Sequence, residues 1–183
     1  MKFILSLEGL KKKLRNISGA YLLKKWKIIE KENIVPVDET MLPELLRIYG
    51  EAFKDENRGN FIRYSKKLKK IFYVYKSQGE IAGYCAYYLK PELSFKGLKI
   101  KSVIYSIATD NKFRGKGYGR KLLEESIKEM KLNGIDSILL YVNVKNTPAI
   151  KLYEKMGFQI IKEIENVCGK NQKCYEMELK LVY

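Results

Sequence analysis

Apolar positions along this chain recur at two spacings. Phe3, Leu7, Leu10, Leu14, Ile17 and Tyr21 stand three and four residues apart, the stripe of an amphipathic helix. Lys11, Lys12, Lys13 and Arg15 fall largely off it, and Leu22, Leu23, Trp26 and Ile29 continue an apolar face past Ser18-Gly19. The pattern predicts an N-terminal helical extension over 1–30 and a domain over 31–183. A short strand is expected at 33–37. Leu42, Leu45, Leu46, Ile48, Tyr49 and Phe53 then predict a helix over about 40–53, with Asp38 and Thr40 as candidate caps and Pro43 in its first turn. Residues 55–60 read as a polar loop and 61–70 as a second, very basic helix.

From residue 71 the pattern changes to strands. A strand at 71–75, a turn at Ser77-Gln78-Gly79-Glu80 and a return strand at 81–89 form a hairpin. A loop over 91–97 and a long strand over 98–108 follow. A helix from about 116 carries Leu122, Leu123, Ile127 and Met130 on one face and ends at Asn133-Gly134. Residues 135–142 are nearly all apolar, which suits a central strand buried on both faces. Asn146 caps a last helix that holds Pro148 in its first turn and stops at Gly157. Strands at 158–164 and 173–182 complete the order. Helices and a hairpin first, then strand-helix-strand-helix-strand-strand, predict a mixed α/β sandwich around one sheet.

Composition narrows the picture. The chain has 183 residues, 46% of them apolar and 31% charged, an ordinary globular balance. No apolar run approaches the ~20 residues that span a bilayer, and a cytoplasmic location is expected. The 36 Lys+Arg against 21 Asp+Glu leave a net charge of +15. That favours anionic partners, so nucleic acid or ribosome contact through the basic helices is one reading; a packed helix with a solvated basic face, in a monomer or homodimer, is the plainer one. The chain contains no histidine, which removes the commonest general base and metal ligand. No metal site is expected. Cys168 and Cys174 stand where they could meet across a late hairpin, but free thiols are the expectation in a reducing cytosol.

The chemistry centres on Arg114-Gly115-Lys116-Gly117-Tyr118-Gly119-Arg120. A strand, a glycine-rich turn and a helix in succession present unpaired N–H groups at a helix N-terminus, a setting that favours phosphate. A Walker loop needs a Gly-Lys-Ser/Thr end that is missing, and a dinucleotide fingerprint needs glycine where Arg120 stands. The plain alternative is a strand-to-helix turn with solvated basic residues. What remains, Arg-x-x-Gly-x-Gly at Arg114, Gly117 and Gly119, resembles the acyl-CoA pyrophosphate loop of the GNAT superfamily of N-acetyltransferases. A second block resembles the same family: Asn146, Ala149, Leu152, Tyr153, Gly157 and Phe158 match Asn-x-x-Ala-x-x-Leu-Tyr-x-x-x-Gly-Phe at the family's spacing. The likeness is to the ribosomal-protein alanine and protein N-terminal acetyltransferases. It implies an acyl-CoA N-acyltransferase fold, a mixed and mostly antiparallel sheet with splayed central strands flanked by helices, and acetyl-CoA as cosubstrate without a metal.

The resemblance also implies roles. Backbone at Ile107, Ala108 and Thr109 would meet the pantetheine and thioester. The amides and side chains of Arg114, Gly115, Lys116, Gly117, Tyr118, Gly119 and Arg120 would meet the pyrophosphate, and Asn146 the CoA arm. Tyr153 stands where many relatives place the general acid. Where relatives carry a glutamate base, this chain has Tyr141, which would hold a water or form only a wall of the acceptor pocket. An α-amine with a pKa near ~8 costs only about 1 kcal/mol to deprotonate at pH 7, a lysine amine near ~10.4 about 4.6 kcal/mol. A site without an evident base therefore favours a protein or peptide N-terminus. A small-amine transferase for a polyamine or aminoglycoside is the alternative within the same chemistry, and a non-catalytic acyl-CoA sensor or RNA-associated module is the alternative outside it.

Overall fold

The computed structural model describes residues 22–54, 57–94 and 97–181; the helical stripe expected before residue 22 lies outside them. In chain order come β1 (Ile34–Pro36), a 3-10 turn (Glu39–Met41), α1 (Leu42–Phe53), α2 (Arg58–Lys67), β2 (Phe72–Ser77), β3 (Glu80–Ser94) and β4 (Gly97–Thr109). A 3-10 turn (Asn111–Phe113), α3 (Tyr118–Leu132), β5 (Ser137–Asn143), α4 (Thr147–Lys155), β6 (Gln159–Glu165) and β7 (Lys173–Lys180) follow. Among the described residues the strands form one seven-stranded sheet in the order β1-β2-β3-β4-β5-β7-β6. Every pairing in it is antiparallel except β4 with β5.

Local chemistry sets several boundaries. The Asp38 carboxylate accepts from the N–H groups of Thr40 and Met41 and opens the first helical region, and Pro43 sits in the first turn of α1. Gln78 and Gly79 both have positive φ, 53° and 83°, the backbone that a two-residue hairpin turn requires. The basic helix begins at Arg58, three residues earlier than expected, and ends at Lys67.

A larger difference is at 91–97. The expected loop is instead the continuation of β3 through Pro91 to Ser94, paired with β4 from Gly97. Proline usually interrupts a ladder because it has no N–H to give. Here β2 pairs with β3 no further than Ala86, so among the described residues β3 beyond it has a partner on the β4 side only, and Pro91 sits on an edge.

Two clusters of buried side chains lie on opposite faces of the sheet. Leu45, Ile48 and Tyr49 of α1 and Phe61 of α2 pack on Phe72, Val74, Tyr84 and Ala108. Leu122, Leu123 and Met130 of α3 and Tyr153 of α4 pack on Tyr73, Cys85, Tyr87, Leu140 and Met177. Trp26 belongs to this second cluster. Its indole N–H donates to the Glu129 carboxylate (2.7 Å), as do the Tyr73 hydroxyl (2.7 Å) and the Ile29 N–H (3.0 Å). Lys31 completes an ion pair with the same carboxylate, which is fully buried. A buried carboxylate is tolerated when its lone pairs are filled in this way.

Cys168 and Cys174 are joined in a disulfide, against the expectation of free thiols. Cys174 is buried on β7 opposite Ile164, and the 166–172 turn carries Cys168 back beside it. Cys85 is a free, buried thiol.

Candidate active site

The parallel strands β4 and β5 pair at Lys101–Ser137, Ser102–Ile138 and Val103–Leu139 only. Among the described residues, β4 past Val103 is paired with β3 alone, so part of the backbone N–H and C=O groups of residues 104–109 faces an opening between β4 and β5. The register of β4 against β3 shifts between Ser106, opposite Ala86, and Ile104, opposite Tyr87. Tyr105 is the extra residue of that bulge, a device that re-aims a side chain. Its ring packs edge-on against Tyr64 of α2 (4.6 Å), which stacks on Tyr88 (6.3 Å). These rings stand on the α1/α2 side of the opening.

The glycine turn closes the far end. Asp110 caps the 3-10 turn through the Lys112 N–H (2.7 Å), and Gly117, at φ 80°, occupies the position before α3 with no side-chain cap. The first N–H groups of α3 therefore lack intrahelical acceptors. A Cβ built on Gly115 or Gly117 would meet no atom of the described residues within 4 Å, so the turn presents open backbone. No acidic residue occupies the first turn of α3, and Arg114, Lys116, Arg120 and Lys121 are exposed around it. Open backbone, unpaired N–H donors and exposed cations are what a phosphate group would need here. Tyr118 is an exception within the run. Its ring stacks on Tyr75 (4.5 Å) and its hydroxyl is 3.0 Å from Ser77 Oγ, which leaves its amide for a ligand.

The second block stands beside this turn. Leu152 of α4 lies 3.8 Å from the position a Cβ would take on Gly119. Asn146 Oδ1 accepts from the Ala149 N–H (3.3 Å) and so caps α4. Tyr153 is buried against Phe158 (ring centroids 5.8 Å apart). Burial, with Cys85 nearby, pushes its phenol well above the ordinary tyrosine range, so it carries its proton at any physiological pH.

Tyr141 stands two residues beyond the last β4–β5 pair. Its neighbours Leu140 and Val142 face the α3/α4 cluster, so alternation turns Tyr141 to the other face. Burial and then the charge of Glu176 raise its phenol. Glu176 is its direct partner across the β5–β7 ladder. Sequence reading missed Glu176. Its only signal is the alternation Cys174, Glu176, Glu178 in the last strand, and that gains meaning only once the register with β5 is known.

The profile of the acetyltransferase (GNAT) family matches residues 39–158. The chain is 31% identical over 157 residues to an N-alpha-acetyltransferase of Sulfolobus acidocaldarius, covering 82% of this chain and 86% of that one. It is 28% identical over 168 residues to an N-alpha-acetyltransferase of Sulfurisphaera tokodaii, covering 88% and 93%. Its fold matches Arabidopsis thaliana Naa50 in complex with the bisubstrate analogue CoA-Ac-MVNAL at a TM-score of 0.69 and 21% identity, over 81% of this chain and 97% of that chain.

Proposed function

We propose, because the chain belongs to the GNAT family of acetyltransferases, that it transfers the acetyl group of acetyl-CoA to the α-amine of a protein or peptide N-terminus. The observation that supports the reading is that β4 and β5 stop pairing after Val103–Leu139 while the glycine turn beyond β4 presents open backbone; in this reading acetyl-CoA lies along that opening, with Tyr153 and Tyr141 beside the reacting groups. One end suits a pyrophosphate and the other an amine.

In this reading acetyl-CoA is held along residues 107–109 and at the 114–120 turn. A β4 N–H donates to the thioester oxygen and stabilises the charge that develops there as the amine attacks. The carbon–sulfur bond breaks, and the Tyr153 hydroxyl gives its proton to the departing sulfur. The acceptor enters from the α1/α2 side, between the Tyr105–Tyr64–Tyr88 rings and Tyr141. The names of the two relatives, both N-alpha-acetyltransferases, support an α-amine acceptor. So does the ease with which such an amine loses its proton compared with lysine.

Acetyl-CoA consumption by the purified protein, measured against N-terminal peptides, polyamines and aminoglycosides, tests the reading. Turnover with peptides that disappears when the α-amine is blocked is expected. Turnover confined to small amines would move the acceptor assignment, and tight CoA binding without turnover would mark a sensor.

A further inference from the structure

We infer that Glu176 receives the proton that leaves the acceptor nitrogen, by way of the Tyr141 hydroxyl; the inference rests on the acetyltransferase reading above. The strand after α3 carries no carboxylate at position 141, and the chain has no histidine. The ladder between β5 and β7 supplies the carboxylate from the neighbouring strand, because Tyr141 and Glu176 are direct cross-strand partners. Residues so paired point to the same face, with Cβ atoms about 5 Å apart. Tyr175 and Met177 pack toward the α3/α4 cluster, which turns Glu176 to the face that Tyr141 shares with the acceptor side of the opening.

The charges on this face leave Glu176 available. Glu92 is held by Lys90 (2.9 Å) and Lys101 (3.3 Å), and Glu178 by Lys101 (3.3 Å) and by the Ser137 hydroxyl (2.7 Å). Glu176 has Lys162 of β6 at 3.4 Å, and that lysine side chain is 57% exposed. Such an exposed pair is held weakly. The carboxylate itself is only 17% exposed. The charges that act on Tyr141 are Glu176 on β7, Lys162 on β6, and Lys90 and Glu92 on β3.

The proton movements balance. The nitrogen lone pair bonds to the thioester carbon, and the nitrogen becomes a strongly acidic ammonium. It passes a proton to the Tyr141 oxygen as that hydroxyl passes its own to Glu176. The carbon–sulfur electron pair leaves on sulfur and takes the Tyr153 proton. Solvent then removes the proton from Glu176 and restores that of Tyr153.

Single-turnover rates of Glu176→Gln, Tyr141→Phe and the double variant test the relay on the amine that the wild type acetylates best. Each single change should lower the rate about 10²- to 10⁴-fold with acetyl-CoA affinity unchanged, and the double variant should lose no more than either. Glu176→Ala should recover part of its rate with added formate, which a purely structural role would not allow. If Glu176→Gln does not fold, Glu176→Asp, which keeps the charge, should retain far more of the wild-type rate than Glu176→Ala, and equal rates for the two would overturn the relay. A Glu176→Gln rate within about threefold of wild type, or losses that add, would overturn the relay. Wild-type turnover on small amines alone would overturn the acceptor assignment and leave the relay to be read on those amines. No turnover on any amine would overturn both.

Discussion

Arg47 of α1 is ion-paired with the carboxylate of Asp110, the buried residue that follows β4 and caps the turn leading into the glycine run. Asn111 reaches α1 as well, donating to Glu51 (2.8 Å). Helix α1 and the turn that leads from β4 into the glycine run are thus fastened to each other.

Arg47→Met should therefore do two things. It should cost about 1.5–3 kcal/mol of stability, the worth of a hydrogen bond to a charged group, and weaken acetyl-CoA binding several-fold. Burial alone would raise the Asp110 carboxyl, but the bonds from Arg47 and the Lys112 N–H hold it below its ordinary value. A lowered carboxyl stabilises the fold fully above its unfolded pKa of ~3.9 and loses that contribution as pH falls through the lower folded value. The stability gap between variant and wild type should close below about pH 4. Denaturant titration at pH 7 and pH 3 measures it; an equal gap at both would remove Asp110 from the account.

Gly117 holds φ 80° with open space where a Cβ would point. Gly117→Val forces a β-branched side chain into the left-handed region, at a cost of about 1–3 kcal/mol, and fills space that the turn leaves open. Acetyl-CoA affinity, read by calorimetry, should fall well beyond what the loss of melting temperature explains. Unchanged affinity in the folded variant would dismiss the turn as the pyrophosphate site.

The N-terminal segment should matter for stability and not for the cofactor. Trp26→Phe removes one donor from the buried Glu129 carboxylate and should cost about 1–3 kcal/mol. Glu129→Gln leaves Lys31, whose side chain is 3% exposed, without its counter-charge and should cost about 3–5 kcal/mol. Acetyl-CoA affinity of the folded Trp26→Phe protein should match wild type. A loss of affinity there would make the segment part of the cofactor site.

The site was legible in the sequence where its parts are local. Gly117 and Gly157 mark turns through their positive φ and Asn146 marks a helix cap through its side chain, and the structure gives each of them that place; Gly119 lies in the first turn of α3. Pro91 misled, because its meaning depends on how far β2 runs alongside β3. Glu129, Arg47 and Glu176 were silent for the same reason: each finds its partner 60 or more positions away or across a ladder whose register no local pattern encodes. The disulfide was visible as a spacing, and the expected cellular environment argued against it.

Reduction offers a check on that last point. Opening the Cys168–Cys174 bond frees a short loop and should lower stability by about 2 kcal/mol on loop-closure entropy alone. Thiol titration of the unfolded oxidised protein should find Cys85 only. Three titratable thiols before reduction would contradict the bond.

Direct transfer with Tyr153 as the proton donor to sulfur stands or falls on the single-turnover rate of Tyr153→Phe. The change removes one hydroxyl and little packing. Acetyl-CoA affinity should hold while the rate falls about 10²- to 10⁴-fold. The loss should shrink with an acetyl thioester of a more acidic thiol, whose sulfur needs less help to leave. Because burial raises the Tyr153 phenol, the wild-type rate should show no falling limb from this group below about pH 10. A Tyr153→Phe rate equal to wild type with chemistry rate-limiting, or equal losses with both thioesters, would contradict the account.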